Sequence, residues 1–193
     1  MQRLPTSLLF VLLVSLLAGC ASAAQSLQEQ ATPSSLPQAA ATTQVEEVSS
    51  NPPADCPVTT AKKQESFKAP KPYSADAPWE SMFWYGTDNL WTALDATGVW
   101  SALPDNPEGY TQKIMWWSDL YVLKDELVPA LEVTGRRLDA EAPPLKTYGA
   151  TNAFAADIGD AMLTGVDFPT LGCWEITGRY RKSELTFVVW VAP

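Results

Sequence analysis

The stretch from Cys173 to Val191 constrains the fold more than any other part of the chain. Trp174-Glu175-Ile176-Thr177-Gly178-Arg179-Tyr180 alternates apolar and polar residues, and Leu185-Thr186-Phe187-Val188-Val189-Trp190-Val191 is almost wholly β-branched and aromatic. Successive side chains of an extended chain leave on opposite faces, so period two marks a half-buried strand. The pattern predicts a terminal hairpin turning at Arg181-Lys182-Ser183-Glu184. Trp174, Ile176, Gly178 and Tyr180 then share the inner face, with Glu175, Thr177 and Arg179 toward water. Leu185, Phe187, Val189 and Val191 line one face of the second strand.

The same alternation recurs at Leu131-Glu132-Val133-Thr134. Turn formers punctuate the chain at residues 85–89, 103–109 and 142–144. Short strands between such turns imply an all-β sandwich or barrel. The one helix candidate, Asn152–Met162, has an apolar face and is expected to make one or two turns. All eight tryptophans lie between Trp79 and Trp190, which places one small domain at residues 79–193. Its last two strands resemble those of an immunoglobulin-like antiparallel β-sandwich. Glu132-Val-Thr-Gly-Arg-Arg137 and Glu175-Ile-Thr-Gly-Arg-Tyr180 nearly repeat, as two strands meeting one local demand would. Their glycines are expected where a strand bends or bulges.

The first nineteen residues read as a secretory leader: Arg3, an apolar run from Leu8 to Ala18, then small residues. That run is shorter than the roughly 20 residues a helix needs to span a bilayer. Leu17-Ala18-Gly19-Cys20 resembles the lipobox of bacterial lipoproteins. The resemblance implies cleavage between Gly19 and Cys20, a lipid on Cys20, and anchorage in the outward-facing leaflet of a bacterial membrane. In a two-membrane cell the outer membrane is a further possibility. The alternative is an ordinary secretory leader.

Residues 20–55 then form the lipidated cysteine and a spacer. From 21 to 55 the chain has no aromatic residue, glycine, lysine or arginine, so it buries too little to offset its ordering entropy. A disordered spacer of this length reaches roughly 30–35 Å. Residues 56–78, with Lys62, Lys63, Lys68 and Lys71, are expected to be an irregular, solvated lead-in.

With Cys20 lipidated, only Cys56 and Cys173 remain, and an exported domain meets an oxidising environment. The pair is expected to form a disulfide tethering the lead-in; two free buried thiols are the alternative. Cys56-Pro-Val-Thr, Leu90-Trp-Thr-Ala-Leu, Trp116-Trp117, Gly135-Arg-Arg-Leu-Asp139 and Gly172-Cys-Trp-Glu-Ile-Thr-Gly178 together resemble a family of uncharacterised bacterial exported lipoproteins and secreted proteins. The resemblance covers residues 56–193 and implies the architecture and the cysteine pairing, without an activity. Lys62-Lys63-Gln64-Glu65 departs from a segment that is often glycine-rich in that family.

The formal net charge is −9, against the basic footprint that nucleic-acid binders carry. There is no histidine, which removes Ser-His-Asp and Cys-His nucleophiles and histidine metal sites. No cofactor, metal or catalytic residue is expected. The leading expectation is a non-catalytic module binding an extracellular protein or glycan. The alternatives are a carboxylate-based cell-wall or polysaccharide hydrolase or its accessory, and a structural envelope protein. Trp116-Trp117, pointing to opposite faces of a strand, would leave one ring exposed as a ligand platform. Arg136 and Arg179 would form an anion-holding patch if their strands lie close, or pair with the many acids. Asp105–Gly109 and Asp157–Asp160 carry oxygen ligands but read as turns.

Overall fold

A computed structural model describes residues 48–63, 67–70, 79–156 and 158–193. The leader, the Gly19–Cys20 junction and Cys20, the spacer up to residue 47, Lys71 and Asp157 lie outside the described residues.

The described chain is all-β. Its strands are β1 (Met82–Thr87), β2 (Leu90–Asp95), β3 (Val99–Trp100), β4 (Asp105–Asn106), β5 (Gly109–Trp117), β6 (Glu132–Arg137), β7 (Lys146–Thr147), β8 (Thr151–Ala155), β9 (Gly159–Phe168), β10 (Gly172–Tyr180) and β11 (Ser183–Val191). One sheet runs β1-β2-β5-β9-β7, with β4 on β5 and β8 on β9; the other runs β3-β11-β10-β6. An immunoglobulin sandwich stacks strands A-B-E-D on C-F-G. The orders β2-β5-β9-β7 and β6-β10-β11 reproduce that arrangement, with β1 added outside A and β3 lying parallel to G.

The main core fills the space between the sheets with Leu90, Ile114, Trp116, Phe168, Trp174, Ile176, Phe187 and Val189 among others. Trp174, Ile176 and Tyr180 point inward on β10, as the alternation predicts, and Leu185, Phe187, Val189 and Val191 are buried opposite. A second cluster covers the outer face of the larger sheet: Trp84, Trp91, Trp117, Ile158 and Ala161 under Ala69.

That second layer accounts for two corrections. Trp116 and Trp117 are both completely buried, one in each layer, so neither ring is a platform for a ligand. Asn152–Met162 is no helix but the hairpin of β8 and β9, paired from Thr151↔Leu163 to Ala155↔Gly159. Ile158 and Ala161 belong to the outer layer and Met162 to the main core, so their spacing reflects two faces of a strand region.

Two further expectations are revised. The terminal turn closes over Arg181 and Lys182 alone, since Ser183 pairs with Tyr180 and Glu184 with Arg179. Arg181 sits at φ 57°, the left-handed region that two-residue hairpin turns require at their first position. Gly135 and Gly178 cause no bulge: the β6–β10 ladder is unbroken through both. They make room instead, Gly135 for Leu145 and Gly178 for Trp116.

Cys56 and Cys173 are disulfide-bonded, with Cα atoms 5.8 Å apart. Unlike the B–F bridge through an immunoglobulin core, this one lies outside the smaller sheet, with Val58, Trp190 and Ala192. The first residues of the lead-in, Cys56 to Thr59, are therefore packed into the domain. Thr59 donates its N–H to the Val188 carbonyl and its hydroxyl accepts the Val188 N–H. Even Ser49, at the end of the expected spacer, accepts a 2.9 Å hydrogen bond from the Trp190 indole.

Candidate functional site

Three regions carry surface chemistry. The first is the outer face of β6 and β10, where the near-repeats lie side by side. Antiparallel pairing is centred on Thr134↔Thr177, which sets Glu132 opposite Arg179 and Arg136 opposite Glu175. A Glu-x-Thr-x-Arg strand paired with a copy of itself about the threonine always matches glutamate to arginine. Arg136 contacts Glu175 at 2.8 Å and Arg179 contacts Glu184 of β11 at 2.6 Å. The structure thus brings Arg136 and Arg179 to one face, roughly 13 Å apart along the strands, but each already holds a carboxylate. The other arginines near this sheet do likewise: Arg137 holds Asp139 and Arg181 holds Glu126. The face is a neutralised ladder rather than a positive patch.

The second region is the end of the sandwich where the β5–β6 loop (residues 118–131) meets β8, the start of β9 and the β10–β11 turn. Glu126 ties the loop to β10 and its turn. It accepts the Tyr180 hydroxyl at 2.7 Å, the Arg181 guanidinium at 2.6 Å and its own loop's Ala130 N–H at 2.7 Å. The Ala130 and Tyr180 hydrogen bonds, with the Arg181 charge, hold its carboxyl below the usual range despite partial desolvation. Asp160 accepts the Leu123 N–H, and Asn152 donates to the Leu127 carbonyl at 2.9 Å. These anchors leave Leu127, Val128 and Phe154 projecting, 64, 77 and 66% exposed. Leu120 and Val122 of the same loop are exposed too. Single exposed apolar side chains are ordinary on a protein surface, whereas several on one anchored loop and its neighbouring strand are a candidate for contact with a partner.

The third region is a cleft in the larger sheet. Strands β2 and β5 pair only at Trp91↔Trp117 and Thr92↔Trp116, then part. Past the zipped end, side chains satisfy two of the backbone groups that the ladder leaves open. The Thr92 hydroxyl donates to the Met115 carbonyl at 2.7 Å, and Gln112 Oε1 accepts the Lys113 N–H at 2.8 Å. The opening is about 390 Å3. Trp79, Met82, Ala93, Trp100, Ile114, Met115 and Leu163 line it with apolar side chains. Lys113 is its one charged residue. Nothing in the sequence pattern announces this cleft, because register between β2 and β5 is a tertiary property. Trp79 is the most exposed tryptophan, at 41%.

Of the carboxylates on the domain, Glu175, Glu108 and Asp160 hold Arg136, Lys146 and the Leu123 N–H. Asp105–Gly109 is the β4–β5 turn, with Asn106 capping the Glu108 N–H. Among the described residues no three metal-ligating acids or cysteines converge. Comparison with protein-family models, curated proteins and solved structures finds no match to this chain.

Proposed function

We propose that this chain is a bacterial lipoprotein, anchored through Cys20, whose immunoglobulin-like domain is a non-catalytic module that binds a partner protein outside the membrane. The observation that carries the reading is the opposition between the tethered end and the apolar loop end. The described chain begins beside Trp190 and is stapled at Cys173, the start of β10. The Glu126-anchored loop meets the other end of that strand, at Tyr180. Seven residues of strand separate the two, roughly 23 Å. Leu127, Val128 and Phe154 therefore lie at the opposite end of β10 from the point where Cys56 is stapled to the domain. These are aliphatic and phenyl groups rather than a flat tryptophan face, which favours a protein ligand over a glycan.

A photo-crosslinking amino acid at Val128 or Phe154 of the full chain, in the cells that make it, tests this. Discrete protein adducts from both positions are expected, with none from Glu132 on the charged face. Leu127→Asp should abolish them while Cys20→Ser alters the membrane fraction and stops incorporation of a labelled fatty acid. Equal adducts from Glu132, or none from either loop position, would exclude the loop end as the interface.

A further inference from the structure

We infer that the cleft between β2 and β5 is a second binding site, taking a small amphiphile with one apolar chain and an anionic head. The site is independent of the loop end: its lining comes from β1, β2, β3, β5, β9 and Trp79 ahead of β1. Its volume falls within the roughly 300–1,000 Å3 typical of small-molecule sites.

The lining specifies the ligand. Apart from Gln112 and Lys113 every lining residue is apolar, with two tryptophans and two methionines. Methionine is flexible and polarisable, so Met82 and Met115 can fit a chain of variable shape. The Gln112 carbonyl oxygen is already taken by the Lys113 N–H, which leaves Lys113 as the charged group at the mouth. Arg136, Arg137, Lys146, Arg179 and Arg181 each hold a carboxylate, whereas Lys113 is exposed and holds none among the described residues. A lysine is a mobile point charge that a carboxylate or phosphate head satisfies. Along the parted seam the Thr92 hydroxyl and the Gln112 side chain satisfy the Met115 carbonyl and the Lys113 N–H, which lowers the cost of keeping it open.

The test compares decanoate with decanol, which share a chain and differ in head charge, using the exported chain with Cys20→Ser so that no attached lipid competes. Binding is read by calorimetry and by Trp79 emission. Saturable binding of decanoate is expected, with loss of acrylamide quenching at Trp79. Lys113→Gln should weaken decanoate by roughly tenfold and leave decanol unchanged. Ala93→Phe, which fills the cleft, should abolish both ligands; an unchanged circular dichroism spectrum would show that it folds, and Leu163→Glu provides a second obstruction. Failure of decanoate to bind, or binding that survives both obstructions, would overturn the site. Equal loss of decanol in Lys113→Gln, or no loss of either ligand, would overturn the anionic head.

Discussion

The Trp116 indole occupies the space that a side chain at Gly178 would need. A Cβ on Gly178 would stand 2.4 Å from the ring's Cζ3, across the sandwich from β5 to β10. Trp116 is fully buried and its ring cannot yield the way a flexible chain end does. Gly178→Ala should therefore overpack the core and cost about 1–3 kcal/mol by urea denaturation. In a Trp116→Phe background, where the ring is smaller, the same change should cost less. Additive effects of the two substitutions would show that the contact does not set the glycine.

The sequence makes the strands around this contact legible but not the contact. Alternation within Trp174–Tyr180 and Leu185–Val191 is a local property, and it sorts inner from outer faces correctly. The same logic fails at Trp116-Trp117, because it assumes that one face of a strand meets water, and burial on both faces also gives Asn152–Met162 a spacing that mimics a helix. Here the larger sheet is covered on both sides, by the main core and by the layer of Trp84, Trp91 and Ile158. Gly178 looks like a bend in isolation; only the opposing strand reveals it as a socket. The candidate sites were less legible still. Arg136 and Arg179 were visible as residues, but their neutralisation depends on register, and the cleft depends on where β2 leaves β5.

The self-complementary pairing of the near-repeats predicts a coupling between Arg136 and Glu175. Both are at the surface, with the arginine side chain 70% exposed, so the ion pair contributes little on its own. Arg136→Glu should cost more than Arg136→Gln, because it sets like charges opposite each other. Adding Glu175→Arg should recover most of the loss. The double-mutant cycle should give about 0.2–1 kcal/mol, shrinking in 1 M salt. A coupling indifferent to salt would mean that packing, not charge, joins the pair.

Asp167 predicts an acid limb to stability. Burial alone would raise its carboxyl, but hydrogen bonds from Thr111, Tyr148 and Asn106, with the Lys146 charge, outweigh that and hold it below the usual value. A carboxylate whose pKa is depressed by folding contributes stability above its unfolded value, about 3.9. That contribution is lost as pH falls through the lower, folded value. Thermal unfolding of the native chain should thus weaken progressively below about pH 4. Asp167→Asn should be less stable at pH 7 and show a shallower decline across the acid range. An identical slope in the variant would assign the acid limb to other carboxylates, with Glu126 and Asp139, both also lowered, as the next to replace.

The disulfide closes a sequence separation of 117 residues, for which the chain-entropy account gives at most about 4–5 kcal/mol. Its position predicts how that loss is distributed. Cys56, Val58, Cys173, Trp190 and Ala192 form a cluster outside the smaller sheet, apart from the twenty buried residues of the main core. Reduction should lower the melting temperature yet leave a cooperative transition, because the sheets remain packed on each other. The released lead-in should also uncover Trp190, whose indole is covered by Ser49 and Val48 in the native chain. Acrylamide quenching distinguishes the two effects. One quenchable tryptophan, Trp79, is expected in the oxidised chain, since the other seven are at most 8% exposed. A second should emerge on reduction and be absent in Trp190→Phe. Complete loss of the melting transition on reduction would instead mean that the staple holds the two sheets together, not only the lead-in.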